Sequence, residues 1–211
     1  MTNAQSASLM VRPQTREQWL ELAVLKLRPL FDEIDVTLPK VRVSVGWPSR
    51  GGVGTKNKVI GQCWKASVAS DNVSQLFISP VLGSNGRDAV EMIKLLGVLV
   101  HELIHAADDC ESGHRGAFAK TAKAIGLTGK MTATTVGEEL AGRLGYVLAE
   151  LGPYPHAALN PFAMEQQRPK QGTRMLKLEC PADGYIVRTT AKWLDELGFP
   201  RCPCGLEMEQ A

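Results

Sequence analysis

The sequence predicts an α+β protein. One short stretch, Val41–Val45, alternates apolar and polar residues at period two, two more short stretches read as strands, and four longer ones place apolar residues at helical spacing. With 211 residues, the chain is long enough for one well-packed domain of about 100–150 residues and a small appendage. A 44% hydrophobic and 22% charged composition is that of a folded globular protein.

The first helix is predicted from Thr15 to about Phe31. Thr15 and Gln18 form a capping-box pair, and Trp19, Leu20, Ala23, Val24, Leu27 and Phe31 follow at helical spacing, with Pro29 set to bend or end the helix near its last turn. Strands are predicted at Val41–Val45, Val59–Trp64 and Gln75–Ser79, giving a sheet of about three strands, with a turn-rich loop over 47–54. Helical periodicity returns from Asp88 to Ala107, from Phe118 to Ile125 with Gly126 as the stop, and from Thr135 to Leu151, where Thr135 and Glu138 suggest a second capping box. The stretch from Glu165 to Lys177 turns polar and basic and reads as a linker between a domain over 1–164 and a small module over 178–211.

Bulk charge excludes little. A net charge of +2 does not mark a nucleic-acid binder, so any contact with DNA must be local. Five cysteines, an odd number and unevenly spread, with no apolar leader at Met1–Ser8, argue against a disulfide framework and for a reducing cytoplasm. The most apolar stretch, Leu95–Ala107, is shorter than the ~20 residues of a bilayer span and carries His101, Glu102 and His105, so no membrane partner is expected.

His101-Glu102-Leu103-Ile104-His105 is an H-E-x-x-H pattern. Residues four apart on a helix differ by about 40° in azimuth and about 6 Å in rise, so both imidazoles face one point, where a zinc ion accepts them, and the intervening Glu stands beside the open coordination position as a base for water. The competing reading is a buried helix whose histidines are hydrogen-bonded core residues. Apolar residues over much of the helix circumference imply burial, and a buried imidazole needs partners; Asp108, near the azimuth of His101, is one candidate acceptor. Candidates for the third ligand are His114, Asp108, Glu138 and Glu139. A metzincin pattern would need Gly at 108 and His at 111, where Asp108 and Glu111 stand, and a thermolysin-like one would need Asp at 142 or 143, where Gly142 and Arg143 stand, so His114 leads. The alternative role for Glu138 is a capping carboxylate at a helix N-terminus.

Over roughly residues 41–160 and the tail, the chain resembles the SprT-like zinc metallopeptidases. The resemblance lies in His101-Glu102-Leu103-Ile104-His105-Ala106, Gly113-His114-Arg115-Gly116-Ala117-Phe118 and Ala122–Leu127, with support from Ile60–Trp64, Phe77–Pro80 and Gly152–His156. It implies a zincin-like α+β catalytic domain, His101, His105 and His114 as ligands of a catalytic zinc, and Glu102 as the catalytic base. Where the family's usual H-G-x-x-F places Gly, this chain has Arg115, with the glycine one position later. The family's C-terminal zinc ribbon is altered here: Cys180, Cys202 and Cys204 leave three thiols, with Asp183 where a further Cys belongs, so the module either binds a structural zinc through those four or is a metal-free remnant held by Tyr185, Trp193 and Leu197.

The implied activity is hydrolysis of protein or peptide substrates, with Tyr154 and His156 as candidate electrophilic helpers. Family members that digest proteins attached to DNA imply DNA as a partner, for which Arg168, Lys170, Arg174, Lys177, Arg188 and Lys192 are the candidate phosphate contacts. Two other classes of function stay open. One is a non-proteolytic nucleic-acid or transcription-associated binding protein with structural zinc, and the other is an assembly protein that retains the scaffold.

Overall fold

A computed structural model describes residues 13–49, 58–83, 86–156, 159 and 175–211. The chain divides into two compact units, Met1–Asn160 and Pro161–Ala211.

The first unit is mixed α and β. Helix α1 (Arg16–Asp32) starts at the Thr15–Gln18 capping box and buries Trp19, Leu20, Ala23, Val24, Leu27, Leu30 and Phe31. Pro29 does not end it: one more turn follows, and the carbonyl that Pro29 leaves without an amide belongs to Leu25, a residue 60% exposed, where water can satisfy it. Strands β1 (Val41–Val45), β2 (Gly61–Trp64) and β3 (Ser74–Ile78) form a sheet in the order β1-β3-β2. β1 runs parallel to β3 and β2 antiparallel to it, so β2 is at an edge among the described residues. Alternate residues Ser74, Leu76 and Ile78 are buried, as period-two patterning requires of a half-buried strand.

Helix α2 (Ala89–Ala107) is the central element. Asp88 caps it by accepting from the amides of Val90 (2.8 Å) and Glu91 (3.2 Å), and Met92, Leu95, Leu96, Leu99, Val100, Leu103 and Ile104 are buried along it. It packs against β2, β3, α1 and the elements that follow. Helix α3 (Gly116–Ile125) stops at Gly126 in the left-handed conformation (φ 104°).

The next segment differs from the sequence expectation. Residues 127–136 form a hairpin of β4 (Leu127–Lys130) and β5 (Ala133–Val136), and helix α4 (Glu138–Leu151) starts three residues later than the predicted Thr135. Thr135 is not a cap. It pairs with Thr128 across the hairpin, hydroxyl to hydroxyl at 3.0 Å, and Gly137 takes the cap position without a side-chain bond. The run Thr134-Thr135-Val136 is β-branched throughout, and such residues favour the strand over the first turn of a helix.

The hairpin reaches α2 through a close contact, since a Cβ at Gly97 would stand 2.3 Å from Val136 Cγ2. Beyond α4, the Gly152 carbonyl accepts from the Trp19 indole at 3.0 Å, and Tyr154 packs edge-on against Trp19 (5.0 Å).

The second unit contains β6 (Met175–Glu179), β7 (Ile186–Thr190), α5 (Ala191–Leu197) and β8 (Glu209–Gln210), with strand order β7-β6-β8. The predicted linker over 165–177 therefore ends earlier, because Met175–Lys177 already pair with Arg188–Thr190. Its other basic residues, Arg168, Lys170 and Arg174, lie outside the described residues. The buried cluster is only Leu178, Cys180, Cys202 and Met208, with Val187 and Leu194 against it. Tyr185, Trp193 and Leu197, the residues expected to hold a metal-free module, are 51%, 49% and 78% exposed and do not form its core.

Gly97→Ala tests the hairpin contact. Helix propensity alone favours alanine by about 1 kcal/mol, whereas overpacking against a stiff valine costs about 1–3 kcal/mol. The urea midpoint of the variant should fall; a rise would place Val136 elsewhere.

Candidate metal centre

His101, Glu102 and His105 stand on the last two turns of α2, and the chain then reverses sharply to bring His114 back against them. The reversal uses left-handed backbone at Asp109 (φ 48°) and Cys110 (φ 61°) and at Gly113 (φ 55°), with the Cys110 amide closing onto the His105 carbonyl at 2.8 Å. His114 itself precedes α3. The glycine expected at 115 stands at 116, where φ is +49°, while Arg115 at φ −127° needs no glycine.

The three imidazoles meet at one point. His114 Nε2 lies 3.2 Å from His101 Nε2 and 3.3 Å from His105 Nε2. Nitrogens held at about 2.0–2.1 Å by a tetrahedral ion stand about 3.3–3.4 Å apart, so these spacings are close to the edges of such a polyhedron. Phe118 supports all three rings: it stacks on His105 at 4.3 Å, and the rings of His101 and His114 approach it at 4.8 and 5.1 Å. The preserved four-residue step from His114 to Phe118 is explained by that platform.

Burial, helped by His105 and His114, drives the His101 pKa down to about 3. Burial and His114 bring His105 down to about 4 against the opposing pull of Asp108, and burial lowers His114 as well. All three rings are therefore neutral at pH 7 and present lone pairs. A group of three such donors could hold a metal ion.

The His101 ring is oriented by Thr134, a residue that the sequence reading did not single out. Its hydroxyl is 2.9 Å from His101 Nδ1, and a proton on Nδ1 leaves Nε2 free to face the cluster. Asp108 does not take that role. The helix ends at Ala107, so the helical azimuth no longer applies; Asp108 Oδ2 accepts instead from the Ser112 amide at 3.2 Å, and its charge acts on His105. Neither Asp108 nor Glu138 nor Glu139 joins the histidine group, and the two glutamates are exposed in the first turn of α4.

Glu102 is 5% exposed. Burial, and secondarily the charge of Cys110, push it up to about 8, while the Cys63 backbone amide donates to it and pulls it back. A Cβ at Gly61 would stand 2.4 Å from Glu102 Oε1 and 2.8 Å from Val98 Cγ1, so only glycine lets β2 lie this close to the acid. These groups line a cavity of about 630 Å³ whose walls are Lys58–Cys63, the end of α2, Cys110, His114 and the hairpin residues Lys130 and Thr132–Thr134. Tyr154 and His156 are not among the lining residues; Tyr154 is buried against Trp19 and Gly83.

The second unit holds another donor group, Cys180, Asp183, Cys202 and Cys204, whose ligand atoms lie within 4.8 Å of one another. Cys180 Sγ is 3.5 Å from Cys204 Sγ, and Cys202 Sγ is 3.3 Å from Asp183 Oδ2. Two tight turns present them: Gly184 donates to the Cys180 carbonyl (3.0 Å) and Gly205 to that of Cys202 (2.8 Å), both glycines having positive φ. The amide of Tyr185 first, then the thiols, hold the Asp183 carboxyl below its ordinary value, which keeps it an anion. Three thiols and a carboxylate could hold a metal ion, and so small a core benefits from such a staple.

Comparison of the chain with models of protein families, with curated proteins and with solved structures gives no match. No helix among the described residues is long and apolar enough to cross a membrane.

Two measurements follow from the donor sets. Elemental analysis after loading with a first-row divalent metal should give two equivalents per chain, falling to one in His105→Ala and to one in Cys202→Ser; two equivalents in either variant would contradict the corresponding site. Thr134→Val, which removes only the hydroxyl, should weaken the histidine site by about 10–100-fold in a competitive chelator titration. An unchanged affinity would dismiss Thr134 as the group that orients His101.

Proposed function

We propose that the protein is a zinc-dependent endopeptidase of the SprT-like kind, and that the ion held by His101, His105 and His114 is its catalytic zinc. The observation that supports it most is a buried carboxylate, Glu102, on the same helix as two of three converging imidazoles and in the wall of the same cavity. A purely structural ion needs no such acid. Zinc bound there supplies a Lewis acid for the scissile carbonyl and for the attacking water.

Glu102 accepts the proton of the water and returns it to the leaving amine, a task suited to a group whose pKa lies near neutrality. The Cys63 amide steadies its carboxylate form, and Gly61 makes the room for it. The substrate class follows from β2. This edge strand forms one wall of the cavity through Gly61, Gln62 and Cys63, and an extended peptide laid beside an edge strand gains backbone pairing whatever its side chains, here short of Cys63, whose amide already serves Glu102.

Proteins held on DNA, in the cytoplasm, are the substrates that the SprT-like resemblance suggests. The phosphate contacts proposed for the second unit are reduced by internal pairing, since Lys177 meets Glu179 at 2.5 Å and Lys192 approaches Glu196 at 3.8 Å, while Arg188 is exposed. The Cys180, Asp183, Cys202 and Cys204 group then holds a second, structural zinc. The alternative, a non-proteolytic binding protein with structural zinc only, leaves Glu102 without a task.

Digestion of casein or histone, with and without single-stranded DNA, separates these readings. The wild type should cleave and lose cleavage to a strong chelator, and Glu102→Gln should lower turnover by about 10²–10⁴-fold while still binding zinc in the histidine site. Cleavage that survives either the chelator or Glu102→Gln would end the endopeptidase proposal.

A further inference from the structure

Cys63 and Cys110 take no part in either metal group, yet the fold brings them together in the wall of the histidine cavity. Cys63 is on β2 and Cys110 in the reversal after α2. Cys110 Sγ reaches the Cys63 carbonyl at 3.8 Å, which sets the two side chains beside one another. Both side chains are partly exposed and line the cavity, so small solutes reach them.

The pairing is built rather than incidental. Asp109 and Cys110 are consecutive non-glycine residues in left-handed backbone, a disfavoured conformation that persists only where the surroundings enforce it. Three contacts enforce it here. Asp109 Oδ1 accepts from the Ala66 amide at 2.8 Å, Glu111 pairs with Lys65 at 3.3 Å, and the Cys110 amide bonds to the His105 carbonyl at 2.8 Å. Lys65 and Ala66 directly follow β2, so the first two contacts tie the reversal to the strand that carries Cys63.

We propose that Cys63 and Cys110 are a redox modification site that closes to a disulfide under a peroxide. One thiol attacks the peroxide oxygen, giving a sulfenic acid and water; the second thiol displaces that hydroxyl as a second water, forming the S–S bond. In sum, two thiols and hydrogen peroxide give one disulfide and two waters, and a reducing dithiol reverses the change. The bond draws the end of β2 onto the reversal. Because the Cys63 amide is the partner of Glu102, closure displaces the acid's support and slows peptide hydrolysis, a consequence that rests on the function proposed above.

Treating the zinc-loaded full chain with hydrogen peroxide, then alkylating and mapping its peptides, tests the site without reference to activity. The expected product has lost two hydrogens, contains a peptide crosslink between Cys63 and Cys110, and reverts with dithiothreitol. Cys63→Ser should give no crosslink and a dimedone-reactive sulfenic acid at Cys110. Free, alkylated Cys63 and Cys110 in the treated wild type, or a crosslink confined to Cys180, Cys202 and Cys204, would overturn the proposal. The peptidase rate of the crosslinked chain should fall by about tenfold or more and recover on reduction; an unchanged rate would overturn the coupling to Glu102 while leaving the endopeptidase reading intact.

Discussion

Three neutral imidazoles, with His114 Nε2 at 3.2 and 3.3 Å from the Nε2 atoms of His101 and His105, present lone pairs to a common point, and in a buried setting that arrangement needs a cation or shared protons to satisfy it. Much of the first unit serves this convergence. The apolar circumference of α2 anchors two of the rings, the left-handed reversal at Asp109 and Cys110 returns the third, and Phe118 forms the platform beneath them. The β4–β5 hairpin, held to α2 at Gly97, supplies the hydroxyl that turns His101.

The acid is placed by a different constraint. Glu102 is next to His101 in sequence but faces β2, where the absence of a side chain at Gly61 leaves room for its carboxylate. Burial first, then Cys110, raise its pKa to about 8, and the Cys63 amide of the strand that also forms the cavity wall counters that rise. The same close approach brings Cys63 to Cys110, which makes the acid and the thiol pair neighbours on one structural joint.

What the sequence revealed follows from the range of the interactions involved. Capping at Thr15, the helical face of α2, the stop at Gly126 and the His101–His105 pair are set by neighbours within a few residues, and local pattern exposes them, whereas His114 and the Cys180, Asp183, Cys202 and Cys204 set lie further apart in the chain and are suggested by the resemblance. Thr135 and Glu138 mimic a capping box, so the helix predicted from Thr135 takes in the last two residues of β5, although the β-branched run from Thr134 to Val136 is the contrary signal. Thr134 as partner of His101 and Gly61 as neighbour of Glu102 depend on contacts 33 and 41 residues away in the chain, which no local pattern encodes. Asp108 failed as an acceptor because its predicted azimuth assumed a helix that has already ended.

Anomalous diffraction at the zinc absorption edge, from crystals of the zinc-loaded full chain, reads the histidine site itself. A peak is expected within bonding distance of the Nε2 atoms of His101, His105 and His114, with the Glu102 carboxylate beside the remaining coordination position. A peak only among Cys180, Asp183, Cys202 and Cys204, with the three imidazoles turned apart, would contradict that site.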